Sequence, residues 1–167
     1  MIKNFNSYTE NSTSYKNKED YEVFGAFLIK TSLPLKRFED NRNDYLKPII
    51  SFRYSPNNTK NISNKDLRLS YDNIFALNRI GTDEIVEGGK SISLGFEYER
   101  RNQNNDKIYS LSFANSISDR VNDNLPSKTK LNEERTDLVG KFSYYPNQVL
   151  NFDYSFSYDN NLKNSRL

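Results

Sequence analysis

A two-residue alternation of apolar and polar positions runs through most of the chain. It is clearest from residue 90 to residue 100 and again from residue 150 to residue 158, where every second side chain is aliphatic or aromatic. Side chains of a β-strand point alternately to opposite faces, so this period predicts strands with one apolar and one polar face. The residues predicted on the apolar faces of these two strands include Ile92, Leu94, Phe96, Tyr98, Phe152, Tyr154 and Phe156.

The same pattern predicts seven strands along the chain. Segments rich in Asn, Asp, Lys and Pro separate them, as is typical of turns and loops. The predicted strands cover residues 21–35, 45–55, 66–72, 90–100, 107–117, 137–145 and 150–158. The segments between them alternate between longer and shorter, and the longer ones are predicted at 36–44, 77–89 and 118–136.

Strand length and loop length favour a membrane barrel. Several predicted strands have about 10 residues, which is the length of a transmembrane strand and exceeds the roughly 5–6 residues usual in soluble sheets. Outer-membrane barrels combine short periplasmic turns with long extracellular loops. We therefore predict an all-β fold, an antiparallel transmembrane β-barrel segment of about seven strands from a larger outer-membrane barrel. A secreted soluble β-sandwich used in adhesion is the alternative that alternation leaves open.

Tyrosines are predicted to mark one boundary of the membrane. If the shorter connections are periplasmic, four tyrosines fall at the periplasmic ends of their strands, where an aromatic girdle is expected. These residues are Tyr54, Tyr98, Tyr109 and Tyr144.

Composition narrows the function classes. Only 35% of the 167 residues are apolar, which is low for a soluble domain with an aliphatic core. Yet 14% are Phe or Tyr, which is more than a disordered chain carries. The absence of Cys and His removes thiolate and Ser-His-Asp catalysis and the commonest metal ligands. The 24 basic and 22 acidic residues are interspersed, so no basic patch indicates nucleic acid. We expect no enzymatic activity, no cofactor and no metal.

The two ends of the chain are polar. Neither shows the apolar stretch of a signal peptide, and no apolar run approaches the ~18 residues of a membrane helix. We expect residues 1–20 to be a polar lead-in and 161–167 to be a truncated end. They would flank a barrel segment at 21–160 within a longer exported chain.

Charged residues also occur on the predicted polar faces. In a barrel these would line a water-filled lumen, where they would solvate the interior or contact a hydrated substrate. They are Arg53, Arg68, Glu97, Glu99, Lys141 and Asp153.

The connection predicted at 77–89 concentrates carboxylates beside two glycines. Paired carboxylates can bind calcium or catalyse glycoside hydrolysis, but calcium-loop spacing is absent, so a solvated or lumen-facing loop is favoured. The residues assigned to this extracellular or lumenal loop are Asn78, Arg79, Gly81, Asp83, Glu84, Glu87 and Gly88.

Three ordered blocks resemble one protein family. The stretch NIFALNRIGTDEIVEGGKSISLGFEY at 73–98 is similar to a strand, acidic loop and return strand of the LptD family of lipopolysaccharide-assembly outer-membrane proteins. LPL at 33–35, with LKPII and YSPN at 46–50 and 54–57, resembles a preceding block of that family. TDLVG at 136–140 resembles the entry into a later strand.

The resemblance implies a location in the bacterial outer membrane and a transport role. Such a barrel lies in membrane lipid, holds an LptE-like lipoprotein in its lumen, and passes lipopolysaccharide from the periplasmic Lpt bridge to the outer leaflet. The periplasmic domain that meets the bridge is not recognisable in this sequence. Another porin or receptor barrel is the alternative, since it would share the strands but not the 73–98 block.

Overall fold

The computed structural model describes residues 2–9, 18–39, 41–81, 85–147, 149–159 and 165–166. Within these ranges the chain forms strands, turns and irregular connections, and no helix there is long and apolar enough to cross a membrane. The predicted all-β antiparallel fold is confirmed.

Ten strands are defined in chain order. They are β1 (Ile2–Thr9), β2 (Lys18–Gly25), β3 (Phe27–Ser32), β4 (Leu35–Glu39), β5 (Arg42–Ser55), β6 (Gly89–Asn102), β7 (Lys107–Ser118), β8 (Leu138–Tyr144), β9 (Phe152–Tyr158) and β10 (Ser165–Arg166). Strands β1 and β2 pair as a separate hairpin. The others form one antiparallel sheet in the order β10-β9-β8-β7-β6-β5-β3, with β4 also paired to β5.

Strands β3 and β4 lie end to end along β5. The ladder of β3 ends at Ser32 opposite Ile49, and that of β4 begins at Leu35 opposite Leu46. The gap coincides with Pro34, which has no N–H to donate to a ladder. Both segments pair on only one side among the described strands, so this edge of the sheet is open.

Connections of two kinds lie at opposite ends of the sheet. Short ones join β4 to β5, β6 to β7 and β8 to β9, at what we call the tight-turn end. Long ones join β5 to β6 and β7 to β8, at the long-connection end. We call residues 57–88 and 119–137 the first and second inner connections, because their described residues fold back over one face of the sheet. The isolated bridge between Ile117 and Arg135 and the hydrogen bond from the Thr136 amide to the Ser116 carbonyl fasten the second of them.

The core lies between the inner connections and the sheet. Its buried residues come mostly from the connections, namely Ile62, Leu69, Ile74, Phe75, Ile80, Ile85, Leu125 and Leu131, with Ile49, Ala114 and Val139 from the strands. We call the covered side the inner face. The opposite side, the outer face, leaves large apolar residues exposed, including Ile50, Phe52, Ile92, Leu94, Phe142, Phe152 and Tyr154.

The third predicted strand, 66–72, was wrong. The alternating residues Leu67 and Leu69 pack into the core instead of joining a ladder. Backbone groups there are satisfied outside any ladder, since the Leu69 amide donates to the Thr129 hydroxyl of the second inner connection at 2.9 Å and the Ile74 amide to the nearby Ser70 carbonyl at 3.1 Å. The alternation therefore reflected one buried and one half-buried side chain of a turn-rich connection.

Three other predicted features also differ from the structure. The loop predicted at 36–44 is wrong, because β4 occupies most of it and β5 begins at Arg42. Without a strand at 66–72, the end of β5 that carries Tyr54 lies at the long-connection end, away from Tyr98, Tyr109 and Tyr144. The predicted polar lead-in contains β1 and the start of β2, which alternation missed because Ile2, Phe5 and Tyr8 are spaced by three.

Candidate functional site

A buried cluster of charges joins the first inner connection to β5. The Arg79 guanidinium donates two hydrogen bonds to the Glu87 carboxylate, one from Nε at 3.0 Å and one from Nη2. Arg53 of β5 contacts the same carboxylate through Nη2 at 2.9 Å and donates from Nη1 to the Glu87 carbonyl at 2.6 Å. All three side chains are almost completely buried. One carboxylate therefore serves two guanidinium groups on the inner face.

Serine hydroxyls of β6 and β7 complete this cluster. Arg79 donates from Nη1 to the Ser116 hydroxyl at 2.6 Å and from Nη2 to the Ser91 hydroxyl at 3.2 Å. The Ser93 hydroxyl links to Ser116 at 3.0 Å and to the Ile74 carbonyl at 3.3 Å. Small hydroxyl side chains leave room for the connection and supply acceptors that a buried guanidinium requires.

The electrostatics of the cluster favour an ionised carboxylate. Burial by itself raises the pKa of Glu87, but the adjacent positive charges of Arg79 and Arg53 outweigh that effect and lower the pKa below its usual value. A carboxylate so placed is a fixed structural anion. It is unsuited to exchanging protons near neutral pH.

An apolar row of the inner face receives the centre of the first inner connection. Ile49, Gly95, Ala114 and Val139 lie side by side in register across β5 to β8. A Cβ atom added at Gly95 would lie 2.8 Å from the Phe75 ring and 2.8 Å from the Ala114 Cβ. The missing side chain at Gly95 thus lets the Phe75 ring rest directly on the sheet.

The inner face near the tight-turn end is polar and partly open. Lys47 pairs with Glu97 at 2.5 Å, and the Tyr71 hydroxyl donates to Glu97 at 3.1 Å. Lys107 pairs with Glu99 at 2.7 Å. Burial and the neighbouring Glu97 carboxylate raise the pKa of the Tyr71 phenol, so this hydroxyl remains a donor. Lys141 and Asp153 lie on the same concave surface.

Comparison with known protein families shows which family the chain belongs to. The family described as LPS transport system D matches residues 1–167. The chain belongs to the LptD family. No curated protein matches the chain.

Membership of the LptD family agrees with the resemblance carried by the 73–98 block. That block contains both Arg79 and Glu87 of the buried cluster, together with Phe75 and Gly95 of the apolar row. The sequence signal therefore corresponds to the segment that is packed and ion-paired against the inner face.

The predicted loop residues have different surroundings in the structure. Arg79 and Glu87 meet Arg53 in the buried cluster. Gly88 lies against the Asn57 carbonyl and its amide donates to the Thr59 hydroxyl at 2.9 Å, whereas Gly81 is exposed and has a positive φ of 72°. Asn78 lies beside Arg79 and is half-buried. Asp83 and Glu84 lie outside the described residues.

The predicted lumenal charges fall into three places. Arg53 belongs to the buried cluster, while Glu97, Glu99, Lys141 and Asp153 share the open surface near the tight-turn end. Arg68 is not on a strand. It lies exposed in the first inner connection, 3.4 Å from Asp66.

The residues predicted to face lipid lie on the outer face of β6 and β9. Ile92 and Leu94 are 44% and 48% exposed, and Phe152 and Tyr154 are also exposed. Phe96 and Tyr98 are half-buried beneath aromatic neighbours, Phe113 and Tyr109. Phe156 is half-buried too, with its ring over Gly140.

Sequence reasoning did not single out Ser91, Ser93, Ser116, Phe75 or Gly95. For the three serines and Gly95, the signal available was their occurrence on the polar face as small residues opposite a run of bulky apolar ones. A cluster of small inward side chains indicates that another segment packs closely against the sheet. Among the described residues, no group of three or more carboxylates could hold a metal ion.

Proposed function

We propose that this chain forms part of the wall of an outer-membrane β-barrel that delivers lipopolysaccharide to the outer leaflet of the membrane. The observation that carries the proposal is the distribution of polarity in a member of the LptD family. Large apolar side chains are exposed on the outer face, and Ser, Arg, Glu and Lys are collected on the inner face. This distribution suits a sheet between lipid and a hydrated lumen.

The two faces would serve different parts of an amphiphilic substrate. The open surface with Lys47, Glu97, Glu99 and Lys141 offers both donors and acceptors to sugar and phosphate groups. The outer face offers hydrocarbon contact to acyl chains. Transport along such a wall breaks no covalent bond, so the protein acts as a conduit and not as an enzyme.

The inner connections would close the lumen toward the long-connection end. They fill the inner face there with a packed core and a buried charge cluster. This argues against a passive, permanently open porin, in which that end would be free for solutes. An LptE-like lipoprotein and the periplasmic Lpt bridge are the partners that the proposal requires, and the open surface near the tight-turn end is the face available to the lipoprotein.

Controlled depletion of the protein in the cell that produces it tests this proposal. We expect lipopolysaccharide at the cell surface to fall while newly made lipopolysaccharide accumulates on the periplasmic side, measured by surface labelling and membrane fractionation. Small-solute uptake serves as the parallel readout. Loss of solute uptake with normal surface lipopolysaccharide would support a porin and refute the proposal.

A further inference from the structure

A cluster of charges interrupts the apolar outer face at its tight-turn end. It consists of Arg37, Glu39, Arg42, Asp44 and Arg100, which we call the arginine row. Strand register brings these residues together, because Asp44 lies opposite both Arg37 of β4 and Arg100 of β6, and Glu39 lies opposite Arg42. Residues directly opposite each other in antiparallel strands have neighbouring side chains on the same face.

The two carboxylates of the row hold the three arginines in place. Glu39 pairs with Arg37 Nη2 at 2.6 Å and with Arg42 Nε at 2.6 Å. Asp44 accepts from Arg100 Nε at 2.8 Å and from the Tyr98 hydroxyl at 2.9 Å. The guanidinium of Arg100 also lies over the Tyr109 ring, 5.4 Å from its centroid.

The outward surface of the row is positive. Three arginines and two carboxylates leave a net charge of +1. The guanidinium side chains of Arg37 and Arg42 are 73% and 43% exposed, whereas those of Glu39 and Asp44 are only 30% and 15% exposed. A guanidinium group has five N–H donors in a planar fork, which suits bidentate binding of a phosphate. The row therefore presents prearranged phosphate donors.

The adjoining row of the outer face is apolar. It lies two residues further along each strand, and its members are in register with one another. They are Leu35, Leu46, Tyr98, Leu111 and Phe142. Successive rows on one face are about 6.8 Å apart along a strand. A ligand that satisfies both rows needs an anionic head joined to a hydrocarbon tail, which a free phosphate ion does not have.

We infer that the arginine row binds the phosphate group of anionic phospholipid in the periplasmic leaflet of the outer membrane. The inference rests on the proposed function, since it requires the outer face to lie in lipid with its short turns on the periplasmic side. The net positive charge selects a lipid with a net negative charge over a zwitterionic one. The row fixes the depth of the sheet in the membrane at its tight-turn end.

The test uses the protein purified, as assembled, from the outer membrane and returned to phosphatidylcholine vesicles. Trace nitroxide-labelled phosphatidylglycerol or nitroxide-labelled phosphatidylcholine reports the motionally restricted lipid by electron spin resonance. The test variant is a double substitution, Arg37→Gln together with Arg42→Gln. Lys90→Gln is the matched control, since Lys90 lies on the outer face at the opposite end of β6, beside Tyr54.

We expect the unaltered protein to prefer labelled phosphatidylglycerol over labelled phosphatidylcholine by about two- to fivefold. The double Arg→Gln variant should lose most of that preference. Lys90→Gln should keep it, and Arg37→Lys with Arg42→Lys should retain part of it. Equal preference in the unaltered protein and the Arg→Gln variant would overturn the inference. A normal amount of restricted lipid without any selectivity refutes only this inference, whereas an absence of restricted lipid refutes the membrane placement itself.

Discussion

At the scale of single residues, the buried cluster of Arg53, Arg79 and Glu87 ties the first inner connection to the sheet. Desolvating these groups is costly, and their mutual attraction offsets that cost only while every partner is present. The serine hydroxyls at 91 and 116 accept two further hydrogen bonds from the Arg79 guanidinium. Removal of one member should therefore cost much more than loss of an exposed ion pair.

Replacement of the shared anion tests this. Glu87→Gln should destabilise the folded barrel by about 3–5 kcal/mol, because two guanidinium groups remain buried without a counter-charge. Urea titration followed by heat-modifiable gel mobility would measure the loss. Glu133→Gln is the control, since Glu133 is half-exposed and 3.9 Å from Lys130, and it should change stability by less than about 0.5 kcal/mol. Equal effects of the two substitutions would contradict the role given to the cluster.

The lowered pKa of Glu87 makes a separate prediction about acid. The folded protein keeps this carboxylate ionised at pH values where the unfolded chain, with an ordinary pKa of about 4.3, is already protonated. The cluster's contribution is thus complete above about pH 4.3 and is lost as the pH falls through the folded-state pKa. Stability should fall more steeply below pH 4.3 in the unaltered protein than in Glu87→Gln. Parallel pH profiles would show that Glu87 does not titrate in this way.

At the scale of elements, the sheet and the inner connections meet at the apolar row. Gly95 is the position where contact is closest, because the Phe75 ring occupies the space that a side chain would fill. Gly140 has a comparable role on the outer face, where the Phe156 ring covers it. Glycines in these strands mark close approach of another ring and not a flexible joint.

A methyl group at Gly95 should therefore push the first inner connection away from the sheet. Gly95→Ala is expected to destabilise the fold by about 1–3 kcal/mol, as overpacking of a filled core does. Gly25→Ala is the matched strand control, because a Cβ there meets nothing within 4 Å. Protease sensitivity of residues 57–88, read by mass spectrometry, should rise only in Gly95→Ala. An unchanged cleavage pattern would mean that Phe75 does not depend on this glycine.

The sequence predicted the strands that carry long, strict alternation, and missed what depends on distant contacts. Strands β6, β7 and β9 follow the predicted boundaries within about two residues, because apolar and polar residues alternate along most of each strand. Leu67 and Leu69 alternate in the same way, yet both pack into the core and the Leu69 amide bonds to Thr129, sixty positions away. The pairing of Arg53 with Glu87 likewise depends on how the first inner connection folds, which no local pattern encodes.

At the scale of the whole molecule, the chain is a sheet whose buried side is its polar one. The long connections supply most of the core, and most large apolar residues of the strands are left outside. From Leu46 to Tyr54 the outer face of β5 extends about 27 Å along the strand, close to the ~25 Å apolar band of an outer-membrane barrel before strand tilt is considered. The open edges at β3 and β4 would need partner strands within a bilayer, where unpaired N–H and C=O groups are costly.

The central claim is that the outer face contacts lipid and the inner face contacts water. Because the chain has no cysteine, single cysteines can be introduced and spin-labelled at adjacent positions. The matched pairs are Tyr98→Cys with Glu97→Cys on β6, and Phe142→Cys with Lys141→Cys on β8. Collision rates with molecular oxygen and with a water-soluble nickel chelate are measured for the protein assembled in membranes. Labels at 98 and 142 should collide mainly with oxygen, and labels at 97 and 141 mainly with the nickel chelate. Preferential collision of the labels at 98 and 142 with the nickel chelate would contradict the account and favour a soluble sheet.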